Sequence, residues 1–156
     1  MSFGATIIVF LVFHFATRTL PNDPIGLTVK PMANFLPLFF FVPALLFIVS
    51  GYEVDRQNIR IRRLLWSTEF PMLGLSRIWH DPQAMRKSLR VWGNGGLYSI
   101  SGLYQSKGLG RYRAFVTDPE SAVVLVLGNR TIVVSPENPS AFVDYVRNLF
   151  PSVGGE

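Results

Sequence analysis

Apolar residues are concentrated at the N-terminal end of the chain, in two runs without charged side chains. The first covers residues 2–17 around the sequence TIIVFLVFHFA, and the second covers residues 31–52, PMANFLPLFFFVPALLFIVSGY. A helix of about 20 apolar residues crosses a bilayer core of about 30 Å. The pattern therefore predicts a transmembrane helical hairpin in residues 1–51, with spans at about 3–20 and 32–51 and a turn-rich connector between them.

The first run admits other interpretations because it is short and His14 interrupts it. A signal peptide fits poorly, since no Lys or Arg precedes the apolar centre and no small-residue cleavage site follows it. A buried strand is a second alternative, because Ile, Val and Phe dominate. We favour a short or tilted first span that ends near Arg18.

After Gly51 the pattern changes to short alternating strands. In the sequence NIRIRR, Ile59 and Ile61 alternate with Arg60 and Arg62, which is the period of a half-buried strand. Further strands are predicted in LLWSTEFPM, LSRIWH, RYRAFVTD, SAVVLVL and RTIVVS, with a hairpin turn at DRQN and another at Gly128-Asn129.

The last predicted element is an amphipathic helix. Asn138 suits the N-cap, Pro139 suits the first helical position, and Phe142, Val146 and Leu149 recur on one face. Pro151 ends the helix, and residues 152–156 form a tail. Residues 52–151 are thus predicted to form one mainly β domain whose sheet is capped by a helix.

Charge predicts where this domain lies. Only two of the fifteen Lys and Arg residues and one of the ten acids precede Gly51, which leaves thirteen bases against nine acids in the domain. That excess suits an anionic membrane surface, and nucleic acid is not predicted as a partner because acids are interspersed. The positive-inside rule places the C-terminal domain in the cytoplasm and the hairpin in the inner membrane.

Several segments in succession resemble the bacterial PH-domain family of small membrane proteins: GYEV, RRLLWSTEFPM, WGNGGLYSISGLY and LGRYRAFVTDPESAVVLVLGNRTIVVSPENPSAFV. The resemblance covers roughly residues 51–150. It implies a PH-like bent barrel of about seven antiparallel strands, with the C-terminal helix plugging one end and hydrophobic helices ahead of the domain. The family has no assigned chemical activity, so the resemblance implies a fold and a location.

Two groups of residues are candidates for binding. Four arginines follow the second apolar run closely enough to contact anionic headgroups, although they also suit a solvated strand face: Arg56, Arg60, Arg62 and Arg63. The glycine-rich stretch 92–113 is typical of turns and bulges, and alternatively of a ligand-facing loop that presents Trp92, Tyr98, Tyr104 and Lys107. It is not a phosphate loop, because no Gly-Lys-Ser/Thr occurs.

Catalysis is not expected. The chain has no cysteine, and His80 and Asp81 are adjacent on a strand, so they face opposite ways. No cofactor or metal site is predicted. We expect a membrane-anchored PH-like binding or scaffolding module that contacts membrane lipids or a protein partner. The alternative is a structural subunit that docks into a membrane complex through its hairpin.

Overall fold

The computed structural model describes residues 2–19, 23–95 and 99–154, and the chain divides into two compact units, 1–46 and 47–156. The N-terminal unit consists of helices α1 (Ser2–Arg18) and α2 (Pro24–Leu46), which pack against each other. The buried Thr17 hydroxyl lies 3.1 Å from the Asn34 side-chain oxygen, so a polar contact joins the two helices.

The predicted transmembrane hairpin is not supported: in the described ranges, no helix has both the length and the hydropathy needed to cross a membrane. The second helix also has other bounds than predicted. It begins at Pro24, because proline is tolerated in the first helical turn. It ends at Leu46, because Val49 already pairs with Arg63 in a sheet and is buried there.

The C-terminal unit is mainly β, as predicted, and ends in a helix. Its strands are β1 (Val49–Val54), β2 (Asn58–Arg63), β3 (Ser67–Pro71), β4 (Leu75–His80), β5 (Leu89–Gly95), β6 (Ile100–Ser106), β7 (Gly110–Val116), β8 (Val123–Leu127) and β9 (Arg130–Val134). The helix is α3 (Pro139–Leu149), and a short 3₁₀ turn, Pro119–Ser121, precedes β8.

The prediction of a bent barrel of antiparallel strands is wrong in two respects. Within the described residues the strands form two separate sheets, of order β1-β2-β3 and β4-β8-β9-β7-β6-β5, and neither closes into a barrel. In addition, β9 pairs with β7 in parallel, while the other pairings between the described strands are antiparallel. The physical reason is that the β8–β9 hairpin inserts between β4 and β7 and leaves β4 and β5 as the outer strands of the larger sheet.

A hydrophobic core lies against each face of the six-stranded sheet. One face, the three-stranded sheet and α3 together enclose a first core, which includes Ile61, Ile78, Phe115 and Val146. The opposite face carries a second core. Its buried members are Trp79, Ala84, Tyr104, Tyr112, Ala114, Val116, Ala122, Val124 and Val133. Strand β7 contributes to both cores, with Phe115 in the first and Tyr112, Ala114 and Val116 in the second.

Two predicted turns are confirmed. The Asp55 carboxylate accepts hydrogen bonds from the backbone N–H groups of Gln57 and Asn58, which fixes the β1–β2 turn. Gly128 in the β8–β9 turn has φ of 59°, in the left-handed region that glycine adopts at little cost. The LLW segment is not part of β3, because that strand begins only at Ser67.

The predicted start of α3 is also confirmed. The Asn138 side chain accepts the N–H of Ala141 at 3.1 Å, and Pro139 is the first helical residue. Of the apolar face predicted for this helix, Val146 is buried in the first core and Phe142 packs against that core, and Val143, which was not predicted, is buried there as well.

Asn138→Ala is expected to lower the free energy of unfolding by about 1 kcal/mol, because the N–H of Ala141 loses its acceptor. Urea denaturation of the full chain, followed by the fluorescence of the buried Trp79, measures this change. Asn148→Ala is the matched control, since Asn148 is exposed inside the same helix. An equal loss of stability in both variants would contradict the role assigned to the cap.

Candidate functional site

The arginines on the exposed face of β2 are paired with acids from both neighbouring strands. Arg60 contacts Glu69 at 2.6 Å and Glu53 at 3.4 Å, and Arg62 contacts Glu53 at 2.8 Å. The hydrogen bond that Arg60 donates to the Glu69 carboxylate raises the pKa of Arg60. These ion pairs reduce the net charge that this strand presents to an anion. Binding of a lipid or a protein partner by Arg60 and Arg62 stays a prediction.

Arg63, the last residue of β2, has a different environment. Its guanidinium lies 5.2 Å from the centre of the Phe115 ring and 5.7 Å from that of Trp66, and it donates to the Thr68 hydroxyl at 2.6 Å. Its Nε is buried without a hydrogen-bond partner in the described part of the chain. Burial lowers the pKa of Arg63. A cation held in this way is a strong attractor for an anion that can reach it.

Arg63 lines a cleft of about 810 Å³ in the C-terminal unit, which we call the arginine cleft. The β5–β6 hairpin and β7 form its walls, together with side chains that flank the small sheet. Its lining residues are Phe47, Arg63, Arg90, Val91, Trp92, Gly93, Ser101, Gly102, Leu103, Arg113 and Phe115.

Two irregularities in the β5–β6 hairpin shape this cleft. A register shift lies between Arg90 and Trp92, and such a bulge re-aims side chains, so residues 90–93 all contribute to the lining. Gly93 and Gly102 pair directly across the two strands, with φ of 118° and 151°. Only glycine allows the two backbones to approach this closely.

Aromatic side chains supply much of the apolar surface of the cleft. Phe47 is placed by a hydrogen bond from the buried Ser99 hydroxyl to its carbonyl oxygen, and its ring meets Trp66 edge-on at 5.2 Å. Trp92 has an exposed fraction of 80%, so its ring is available to a ligand. Rings of this kind contribute large contact area and attract cations and apolar groups alike.

The charge of the cleft is positive. Three of its lining residues are arginines and none is acidic. Arg113 lies 5.9 Å from the centre of the Phe70 ring. Within the described ranges, Arg63, Arg90 and Arg113 form no ion pair with a carboxylate. The cleft therefore offers uncompensated guanidinium groups beside aromatic and aliphatic surface, which suits a ligand with an anionic head and an apolar body.

Of the predicted site residues that the structure describes, Arg63 and Trp92 meet in the arginine cleft, and Arg60 and Arg62 lie together on β2. Arg56 is exposed in the β1–β2 turn, and Lys107 is exposed in the β6–β7 turn, where it lines another cleft. Tyr98 lies outside the described residues. Binding by these residues stays a prediction.

The neighbouring pair His80 and Asp81 engages the backbone separately. The His80 ring lies 3.1 Å from the Glu120 carbonyl oxygen, whereas the Asp81 carboxylate accepts the N–H of Gln83. In these contacts the Asp81 carboxylate does not hold the His80 imidazole in place.

Sequence reasoning missed Phe47, Arg90 and Arg113. The signal for Arg113 was present in RYRAFV, where it stands two residues before Phe115 and so shares its face of the strand. Nothing in the local pattern around Arg90 indicated that it would line the same cleft.

A family model described as "Bacterial PH domain" matches residues 50–149, which is more than half of the chain. This match confirms the resemblance seen in the sequence. No curated protein and no solved structure matches the chain.

Proposed function

Because the chain belongs to the bacterial PH domain family, we propose that it is a membrane-associated binding module whose arginine cleft binds the headgroup of an anionic lipid. The observation that carries the proposal is the composition of the cleft, with three arginines, no acid and exposed aromatic surface. A phosphate group pairs with guanidinium groups through charge-assisted hydrogen bonds, while the rings contact the glycerol and the first methylenes.

The N-terminal helices support the membrane part of the proposal. They expose large apolar side chains, among them Ile8, Leu11, Phe15 and Phe39, with exposed fractions between 60% and 75%. Exposed apolar surface of this extent is typical of an interaction with a membrane or a protein. Only two residues separate α2 from β1, so the domain stays tethered to any surface that the helices occupy. The cytoplasmic face of the inner membrane is the location we propose.

Exchanging two arginines of the cleft tests the binding. The full chain in neutral detergent is titrated with dihexanoyl phosphatidylglycerol, and binding is followed by tryptophan fluorescence, since Trp92 lies in the cleft. We expect Arg90→Gln with Arg113→Gln to weaken binding roughly 30-fold, because each base contributes about 1 kcal/mol towards an anionic headgroup. Salt should weaken the wild-type interaction as well.

Two controls make this result specific. Arg130→Gln removes one positive charge from an exposed position outside the cleft, and should leave the affinity unchanged. Dihexanoyl phosphatidylcholine, which has no net charge, should bind weakly. Equal affinity for both lipids, or wild-type affinity in the double variant, would disprove lipid binding in the arginine cleft. Copurification of a stoichiometric membrane protein in that case would favour a structural subunit.

A further inference from the structure

A second cleft, of about 630 Å³, lies away from the arginine cleft and is also basic. It is bordered by β4, the turns of residues 82–87 and the β6–β7 turn. We call it the basic cleft after four of its lining residues: Arg77, Arg86, Lys87 and Lys107.

The two clefts lie on opposite faces of the six-stranded sheet. The arginine cleft includes Phe115, a member of the first core, whereas the basic cleft includes Trp79 and Ala84 of the second core. A ligand in the basic cleft would therefore be separated from the arginine cleft by the sheet itself.

The bases of this cleft exceed its acids. Asp81 is its one acidic lining residue, and a carboxylate oxygen of Asp81 already accepts the N–H of Gln83 at 2.8 Å. In the described parts of the chain, none of these four bases forms an ion pair with a carboxylate. A group with two or more negative charges would offset most of this excess of three positive charges.

Two of the bases are presented by fixed local structure. The Arg77 guanidinium lies over the Trp79 ring, 5.5 Å from its centre, and such stacking preserves the planar fork that pairs with phosphate oxygens. The turn that carries Lys107 is closed by the Ser106 hydroxyl, which accepts the N–H of Leu109 at 3.1 Å.

Lys87 has φ of 61°, the one positive value among the described non-glycine residues. The surrounding contacts hold it there: the N–H of Ser88 donates to the Met85 carbonyl, and the Tyr112 hydroxyl donates to the Ser88 hydroxyl at 2.7 Å. Glycine would adopt this conformation at lower cost. A lysine kept in a strained conformation beside three other bases points to a function for its charge.

We propose that the basic cleft binds a phosphate group, supplied either by a soluble phosphate ester or by a lipid. The four bases provide the charge, Arg77 provides a planar two-pronged donor, and the turns at Lys87 and Lys107 supply ammonium groups on fixed backbone. This site does not depend on lipid binding in the arginine cleft.

Lys87→Gly gives the sharpest test, because it removes the charge and relieves the backbone strain together. The full chain in neutral detergent is titrated with inorganic pyrophosphate by calorimetry, and in a second arm with dihexanoyl phosphatidic acid. We expect Lys87→Gly and Lys107→Gln each to weaken binding at least about tenfold, the effect of losing one charge-assisted hydrogen bond. The thermal midpoint of unliganded Lys87→Gly should not fall below that of the wild type.

The pattern of losses distinguishes the outcomes. If the two lysine variants lose affinity for pyrophosphate, the site is assigned to soluble phosphate. If they lose affinity for phosphatidic acid alone, the site is assigned to lipid. The control Arg56→Gln, an exposed base in the β1–β2 turn, should bind both ligands as the wild type does. The proposal is overturned if neither ligand binds saturably, if Lys87→Gly binds as tightly as the wild type, or if affinity is lost only in Arg90→Gln with Arg113→Gln.

Discussion

Gly102→Ala is expected to separate β5 from β6 and so to remove the arginine cleft. A Cβ atom at this position would lie 2.2 Å from the Trp92 carbonyl oxygen and 2.8 Å from the Gly93 Cα, and both are backbone atoms. The φ of 151° adds strain for any side chain. The combined cost is about 2–6 kcal/mol, enough to unpair the outer strand of the larger sheet.

The measurement is amide hydrogen exchange across residues 89–106, together with phosphatidylglycerol binding by the full chain. Exchange should accelerate in β5 and β6 and change little in β8 and β9. Gly108→Ala is the matched control, since a Cβ there meets no atom within 4 Å. If the amide hydrogens of β5 and β6 exchange as slowly in Gly102→Ala as in Gly108→Ala, the close approach of the two strands is not essential to the cleft.

This hairpin shows what the sequence could and could not predict. The glycine-rich stretch was correctly associated with bulges, because glycine is favoured where φ is positive. The pattern does not reveal which backbone lies opposite a glycine, and here Gly93 and Gly102 face each other. The strands β5 and β6 were consequently missed, since their glycines obscured the alternation that marks a strand.

The small sheet was easier to predict, because one of its faces is buried. Ile59 and Ile61 are fully buried while Arg60 is exposed. The alternation of apolar and charged residues therefore predicted correctly which face of β2 is buried. The ion pairs on the exposed face of this sheet were not predictable in the same way. Glu53 and Glu69 come from the strands on either side of β2, and only the pairing register places them beside the arginines.

The arginine cleft lay beyond local sequence analysis for the same reason. Arg63, Arg90 and Arg113 belong to three strands in two sheets, and the larger sheet depends on a parallel pairing between β7 and β9. Periodicity reports which face of its own strand a residue occupies. It does not report which distant strand lies opposite, so residues that meet only through long-range pairing remained unconnected.

Tyr52→Phe is expected to destabilise the C-terminal unit by about 1–3 kcal/mol, because two buried backbone groups lose their partner. The Tyr52 hydroxyl donates to the Phe115 carbonyl oxygen at 2.5 Å and accepts the N–H of Ser135 at 3.1 Å. It thus joins β1 of the small sheet to β7 and to the end of β9. Urea denaturation of the full chain measures the loss, and Tyr145→Phe is the control, since Tyr145 is half exposed and its hydroxyl lies 3.5 Å from the Val54 carbonyl.

The same tyrosine predicts how stability changes at alkaline pH. Burial raises the pKa of Tyr52 above its usual value of 10.0, whereas in the unfolded chain the phenol ionises at that value. The contribution of Tyr52 to the free energy of unfolding is therefore complete below pH 10.0, and it is lost as the pH rises through the folded-state pKa. Burial also raises the pKa of Tyr104 and Tyr112, which act in the same direction. Stability of Tyr52→Phe should thus fall less steeply above pH 10 than that of the wild type, and an unchanged slope would show that the buried phenol does not govern the alkaline transition.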